Sequence, residues 1–189
     1  MIMRLGRVQY FLPTLVLLCP VLTYAGQSEA GPTAVPCREP LSTLRDGLFN
    51  LGDGPVRLKD GRGCVKARPE DPGCDWSVQL TRAETWGVGG QFLLVIVNRD
   101  HETGSGAFDS VFWYACERGM FLQVWSHSYL YGTTIVMGQE SDLWITSGVW
   151  RPGDATCCPS QQRREHLAWN GATRSVGLLD SEVTTRGQR

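Results

Sequence analysis

Residues 91–97 read QFLLVIV, a single glutamine followed by six apolar side chains in succession. A short continuous apolar run is typical of a strand that is covered on both of its faces. We therefore interpret this stretch as a buried strand and read the rest of the chain outward from it.

Runs rich in β-branched and aromatic residues follow this strand, and turn signals separate them. Asn170-Gly171 is the strongest short hairpin signal in the chain, and Gly119 offers the positive φ that a tight hairpin needs. The runs cover 109–116, 120–130, 133–137, 142–150, 163–169 and 172–178, after an alternating segment at 76–80. The sequence thus predicts a mainly β fold, a single antiparallel sheet or sandwich-like domain of about seven or eight strands.

The region before these runs has weaker patterns. Leu41, Leu44, Leu48 and Leu51 recur at helical spacing, but Gly47 interrupts them, so we expect a short helix of one or two turns. Residues 52–75 are rich in glycine, proline and charge, which indicates loops with one short strand at 56–58.

The first residues have the three parts of a secretory signal peptide. Two arginines precede an apolar stretch at 8–22, and residues 23–25 (TYA) place small side chains at the positions that signal peptidase requires. The apolar stretch is shorter than the roughly 20 residues of a membrane span, which disfavours an uncleaved anchor. Lipid attachment at Cys19 is disfavoured because a bulky leucine precedes it and Pro20 follows. We expect cleavage after Ala25 and a periplasmic or secreted protein.

This reading divides the chain into four parts. They are a signal peptide at 1–25, a flexible linker at 26–36, one disulfide-stapled β-rich domain at 37–180 and a disordered tail at 181–189. Removal of 25 of the 189 residues leaves 164, enough for one domain with its own core. Because two of the 18 basic residues are lost with the signal, the net charge falls to −3, which disfavours a nucleic-acid partner.

Six cysteines remain after such cleavage, and in an oxidising compartment an even number predicts three disulfides. Six cysteines allow 15 pairings, of which 12 do not join the neighbours Cys157 and Cys158. We expect Cys64 to pair with Cys74, and Cys37 and Cys116 each to bond one cysteine of the 157–158 doublet.

A redox role for the doublet is less favoured than structural bonding, since thioredoxin-type sites have two residues between their cysteines. Zinc is also less favoured, because the three histidines are scattered.

One segment also carries a resemblance to a known family. The order of an apolar strand at 91–98, the loop 104–108 (GSGAF), a strand at 124–132, Gly153-Asp154, residues 157–160 (CCPS) and an arginine-rich strand at 163–169 resembles the LppP/LprE-type family. These are small secreted bacterial proteins, many of them lipoproteins. The resemblance covers 76–169 and implies an envelope protein; it implies no catalytic residue.

Aromatic side chains supply the predicted ligand-binding site. By alternation, the odd-numbered residues of 121–131 share one face, and Trp144 lies on a face of another strand. Such a face could stack on sugar rings or contact a protein. The alternative is that these rings fill the core. The candidate residues are Trp125, His127, Tyr129, Tyr131 and Trp144.

A polar cluster at 98–102 (NRDHE) is the remaining candidate. Its acidic and basic groups could act in hydrolysis, or Asp100, Glu102 and Asp109 could bind a cation. A solvated hairpin tip is the favoured reading. We therefore assign no catalytic residue, no metal site and no cofactor.

These observations predict a secreted or periplasmic binding or structural protein without catalytic activity. Its partner would be an envelope protein, as for inhibitors and immunity proteins, or a cell-wall glycan. The alternative is an envelope enzyme, either a hydrolase or a thiol oxidoreductase.

Overall fold

The computed structural model describes residues 29–32, 35–52, 54–66, 68, 70, 72–101, 106–130, 132–138, 140–155 and 158–185. Within these residues the protein is mainly β, with antiparallel strands and one short helix, as the sequence predicts. The helix is α1 (Pro40–Arg45), and a 3-10 turn covers Val88–Gly90. The strands are β1 (Val35–Pro36), β2 (Leu48–Asn50), β3 (Pro55–Arg57), β4 (Arg62–Val65), β5 (Trp76–Trp86), β6 (Phe92–His101), β7 (Ala107–Glu117), β8 (Met120–Leu130), β9 (Thr134–Met137), β10 (Asp142–Val149), β11 (Gln161–Asn170) and β12 (Ser175–Thr185).

The described strands form two sheets and a separate hairpin. The large sheet has six strands in the order β1-β8-β7-β6-β5-β4, and the small sheet has four in the order β12-β11-β10-β9. Strands β2 and β3 form the hairpin. The twelve described strands exceed the expected seven or eight because β1 to β4 have only two to four residues each. Strand β3 overlaps the short strand predicted at 56–58, whereas β1, β2 and β4 are too short to show alternation.

Strand β6 separates two hydrophobic cores. Leu93, Val95 and Val97 belong to the core that the large sheet shares with α1 and the β2–β3 hairpin, which we call the hairpin-side core. Phe92 and Leu94 belong to the core between the two sheets, which we call the inter-sheet core. All five side chains are at most 2% exposed. The interpretation of 91–97 as a strand covered on both faces is therefore confirmed.

Helix α1 covers only the first part of the leucine pattern at 41–51. Proline is well tolerated at the start of a helix, and α1 begins at Pro40. The chain then leaves the helix after Arg45, and Leu48 begins β2. Of the leucines in the pattern, Leu44 and Leu51 are buried, whereas Leu41 and Leu48 are exposed. The predicted length of one or two turns is confirmed.

Both predicted irregular ends are partly ordered. The linker expected at 26–36 includes Ala30, which pairs with Asn50, and the fully buried Val35, which pairs with Phe121. The tail expected at 181–189 includes residues 181–185 of β12, which pair with β11. The polar composition of both segments predicted irregular structure. Each segment nevertheless pairs with a neighbouring strand, which satisfies its backbone hydrogen bonds.

Two disulfides join the described cysteines. Cys64 pairs with Cys74 as expected. Cys37 pairs with Cys116, and the expectation that each of these bonds a cysteine of the doublet is wrong. Strand β1 lies against the β7–β8 hairpin, and this brings the two Cα atoms to 5.9 Å. Cys157 lies outside the described residues, and Cys158 is exposed. The two disulfides are consistent with a non-cytoplasmic location.

Among the helices that the structure describes, none is both long and apolar enough to span a membrane.

Candidate functional site

A β-bulge in β8 divides the predicted aromatic face in two. Trp113 of β7 pairs with Trp125, but the next residue, Tyr114, pairs with Gln123, which leaves one extra residue in β8. An extra residue inverts the alternation of a strand. Phe121 therefore packs into the hairpin-side core, whereas Trp125 packs against the inter-sheet core. The expectation that the odd-numbered residues of 121–131 share one face is wrong.

Three of the predicted binding residues form a row beyond the bulge. Trp125 is half-buried, His127 is exposed and Tyr129 is 5% exposed. The ring of His127 lies 6.1 Å from that of Trp125 and 4.7 Å from that of Tyr129, measured between centroids. Tyr131, the next residue predicted for this row, lies outside the described residues.

Tyr129 joins the two sheets. Its hydroxyl donates a hydrogen bond to Oε2 of Glu165 at 2.9 Å. Burial, and then this bond to a carboxylate, raise the pKa of Tyr129 well above its usual range. The side chain is thus neutral, and its hydroxyl is already bonded within the protein. This favours a role in the core over a role in ligand binding.

Trp144 lies apart from that row, on the outer face of the small sheet. Its neighbour Ile145 is fully buried in the inter-sheet core, so alternation turns Trp144 outward. The indole ring stacks on His166 with 3.9 Å between centroids and 8° between planes. The guanidinium of Arg164 lies 4.2 Å from the indole centroid, and His166 Nε2 lies 2.9 Å from Asp142 Oδ2. The chain itself therefore supplies stacking partners for this ring.

Strand β12 is the most exposed element of the small sheet. It pairs with β11 along one edge, and in the described structure its other edge pairs with no strand. Nine of its eleven residues are exposed. They include Leu178 and Leu179, at 57% and 64%, and Val183, at 46%. We call these three side chains the β12 apolar patch. Long exposed edges with apolar side chains are sites of strand pairing with other chains.

The polar cluster at 98–102 does not converge on one point. Asp100 is exposed at the end of β6, whereas the ring of the next residue, His101, meets Trp76 edge-on at 4.8 Å. Successive side chains of a strand point to opposite faces, so Asp100 and His101 diverge. Asp109 accepts hydrogen bonds from the Asn98 amide and the Thr133 backbone N–H. Glu102 lies outside the described residues.

A buried polar network that the sequence patterns did not predict lies on the hairpin-side face of the large sheet. Arg99 is 6% exposed and Ser110 is fully buried. Glu29 reaches both from the N-terminal segment, with its Oε1 3.2 Å from Ser110 Oγ and 3.5 Å from an Arg99 Nη. The signal for Arg99 was available, because alternation places it on the same face as Val95 and Val97. The charged neighbours at 98–102 obscured it.

Asp154, in the segment that carries the family resemblance, links Arg151 to Ser160. Oδ2 of Asp154 accepts hydrogen bonds from the backbone N–H of Arg151 at 2.7 Å and from that of Ser160 at 2.9 Å. It also accepts one from the Ser160 hydroxyl. These bonds lower the pKa of Asp154, first the one from the Ser160 backbone, then that from the Arg151 backbone and then that from the Ser160 hydroxyl. Pro159 is buried and close to Gly148, where an added Cβ would lie 2.5 Å from the Pro159 ring. Asp154 and Pro159 thus have structural roles.

A surface cleft of about 510 Å³ lies between α1 and β5. Its lining is rich in arginine, but Arg45 pairs with Asp60 at 2.6 Å and Arg82 pairs with Glu84 at 2.7 Å. These pairs offset much of the positive charge that an anion would need.

Among the described residues, no group of three or more histidine, cysteine, aspartate or glutamate side chains is arranged to hold a metal ion. Comparison of the chain with known protein families, with curated proteins and with solved structures finds no match.

Proposed function

We propose that the protein is a non-catalytic binding protein of the cell envelope and that its partner is another protein, which docks on the open edge of β12. The observation that carries this proposal is the β12 apolar patch on an edge strand that pairs on one side only. A protein partner is favoured over a glycan because apolar aliphatic side chains and unpaired backbone groups suit strand addition.

The backbone supports this mode of binding. An open edge presents a row of N–H and C=O groups that an extended segment of another chain can pair with. Natural sheets usually protect such an edge with charged residues or bulges. Strand β12 has two acids, Asp180 and Glu182, and a bulge at Leu179, and its apolar side chains are exposed beside them. Leu178, Leu179 and Val183 flank these two acids. A partner strand that alternates basic and apolar side chains would complement both.

The glycan alternative has less support. Sugar rings need an open aromatic face, and the ring of Trp144 stacks on His166. Tyr129 is buried, and Trp125 is half-buried against the inter-sheet core. His127 is the one exposed member of the described aromatic row.

The hydrolase version of the enzyme alternative also has less support. A hydrolase would need Asp100 and His101 to act together, but their side chains point to opposite faces of β6. For the thiol version, Cys37 and Cys116 bond each other rather than the doublet, so structural bridging to these two cysteines no longer argues against a redox role. Thiol titration of denatured, unreduced protein tests this version, since a reactive dithiol would titrate.

The proposed location rests on three observations of different kinds. The first 25 residues match a secretory signal, the described cysteines form disulfides, and the segment around Asp154 resembles the LppP/LprE-type family. Together they support a periplasmic or secreted envelope protein in that family.

Site-specific photo-cross-linking tests the proposed interface. A photoreactive amino acid replaces Leu179 in the exported protein, and in a control it replaces Val136, which is 59% exposed on the opposite edge strand β9. We expect a protein adduct of defined mass from position 179 that Leu178→Lys removes. Adducts that are the same from both positions, or none from position 179, would contradict the proposal. A glycan adduct from position 179 would favour the alternative.

A further inference from the structure

We infer that the recess between the large sheet and the β2–β3 hairpin is a peptide-binding site, filled in cis by Glu29-Ala30-Gly31. The ligand class that it takes is an extended segment with a glutamate followed two residues later by a glycine. This inference uses the face of the large sheet opposite the small one, and it does not depend on the β12 edge.

The recess has a pocket for a carboxylate. Ser110 and Ser128 lie on neighbouring strands in direct register, with their hydroxyl oxygens 2.9 Å apart, and both contact the carboxylate of Glu29. An Arg99 Nη donates to Ser128 Oγ at 2.9 Å and lies 3.5 Å from the same carboxylate oxygen. Arg99 is held in place by a second bond, from Nη1 to the Leu51 carbonyl at 2.5 Å. A cation and two hydroxyls therefore converge on one carboxylate.

Side chains of β8 recognise the backbone of the bound segment. Ser126 Oγ and Gln123 Nε2 donate to the carbonyl oxygen of Glu29 at 2.8 and 3.0 Å. Gln123 Oε1 accepts from the N–H of Gly31 at 2.6 Å. On the opposite side, Ala30 exchanges two backbone hydrogen bonds with Asn50 of β2, at 3.0 and 2.6 Å. The segment is thus bound on both sides, by side chains of β8 on one side and by a single backbone pair with β2 on the other.

The position two residues after the glutamate accepts only glycine. A Cβ added at Gly31 would collide with the hydroxyl of Tyr114. Tyr114 is fully buried in the hairpin-side core and has no room to withdraw. Beside the carboxylate pocket, this contact is the second element of specificity.

The polar, charged lining of the recess favours a ligand-binding site over a purely structural contact. Burial of an ion pair is costly, and apolar side chains of the same size commonly stabilise a core as well or better. We call the segment Glu29-Ala30-Gly31 the strap. The Cys37–Cys116 bond tethers the chain on its C-terminal side, while the predicted cleavage after Ala25 places the free end three residues before Glu29. A segment anchored at one end occupies its site through a high effective concentration and can exchange with a competitor.

Peptide binding to a variant with the strap displaced tests the inference. The exported chain carries Glu29→Ala and Gly31→Leu, and the probe is a fluorescein-labelled peptide of residues 27–32 (QSEAGP). We expect the variant to bind this peptide at least about tenfold more tightly than peptides with Gln for Glu or Leu for Gly. Wild-type protein should bind it more weakly, because its own strap competes. A folded variant that binds no peptide, or binds all three equally, overturns the inference.

A second measurement tests the carboxylate pocket if the double variant does not fold. Glu29→Ala alone leaves a vacant carboxylate pocket, which acetate should fill. We expect acetate to raise the Tm of this variant above its value in chloride at equal ionic strength. The control is Glu84→Ala, which removes a surface carboxylate paired with Arg82 and should show no such difference. The absence of an acetate effect at Glu29→Ala overturns the inference.

Discussion

At the scale of single residues, two buried tyrosines of the large sheet differ in what their hydroxyls contact. Tyr129 donates to Glu165, whereas the hydroxyl of Tyr114 has no hydrogen-bond partner among the described residues. A hydrogen bond to a charged group stabilises a fold, while a buried hydroxyl without a partner costs free energy. The two residues therefore provide a matched pair of substitutions.

We predict that Tyr129→Phe lowers the free energy of unfolding by about 1–2 kcal/mol. Tyr114→Phe should leave it unchanged or raise it, because the substitution removes a hydroxyl that the core does not satisfy. Urea unfolding followed by tryptophan fluorescence measures both changes. Equal losses for the two variants would mean that the Glu165 bond contributes nothing.

Asp154 makes the contacts that join Arg151 to Ser160 sensitive to acid. Its pKa is lower in the folded protein than the ordinary value of 3.8, because Ser160 and Arg151 donate hydrogen bonds to the carboxylate. A group whose pKa is lowered by folding contributes stability above its unfolded pKa and loses that contribution as the pH falls through its folded pKa. The contribution is therefore present at neutral pH and lost below about pH 4.

We predict that Asp154→Asn lowers the Tm at pH 7 and flattens the decline of Tm on acidification toward pH 3. Scanning calorimetry over this pH range measures both effects. The matched control is Asp180→Asn, an exposed residue for which the structure gives no hydrogen bond from a backbone N–H. If the wild type and Asp154→Asn decline in parallel, the contacts that join Arg151 to Ser160 do not depend on the charged carboxylate.

At the scale of elements, the long strands and the short β3 and β9 could be predicted, whereas β1, β2 and β4 could not. The bounds of β8 match the predicted run at 120–130, and β6 contains the run at 92–97. Each of these strands has enough residues to show its pattern of burial. Strand β1 has two residues and pairs with the distant β8, so no local pattern marks it. Strand β2 pairs with the neighbouring β3, but its three residues are too few to show alternation.

The candidate site was harder to predict because its geometry depends on neighbours. Alternation alone placed Phe121 and Trp125 on one face, but the bulge is defined by the pairing of β8 with β7 and leaves no mark in β8 itself. Trp144 was grouped with Trp125 by chemistry, although the two lie on different sheets. The Glu29 network joins residues up to 99 positions apart, which no spacing rule connects.

The exposed edge strand leads to a prediction about β12. Leu179→Lys should change the free energy of unfolding by less than about 0.5 kcal/mol, because the side chain is already in water. It should also reduce self-association, since a charge at an open edge opposes pairing with other strands. Chemical unfolding and sedimentation velocity measure these two properties. Leu167→Lys, at a position 4% exposed in the inter-sheet core, is the control that should unfold the protein.

At the scale of the whole molecule, the two disulfides constrain very different lengths of chain. The Cys37–Cys116 bond spans 79 residues and ties β1, and with it the N-terminal strap, to the β7–β8 hairpin. The Cys64–Cys74 bond spans 10 residues and closes the loop between β4 and β5. Only the first bond joins segments that are distant in sequence.

A crosslink stabilises a protein chiefly by restricting the unfolded chain, and the effect grows with the logarithm of the loop length. For these loops we predict that Cys37→Ser/Cys116→Ser costs about 4.5 kcal/mol and Cys64→Ser/Cys74→Ser about 2.7 kcal/mol. Urea unfolding of the two double variants under non-reducing conditions measures the difference. The first variant should also release the strap, so the labelled 27–32 peptide should bind it more tightly than it binds the second. Equal losses in stability, together with equal peptide affinity, would mean that the long crosslink neither restricts the unfolded chain nor holds the strap in its recess.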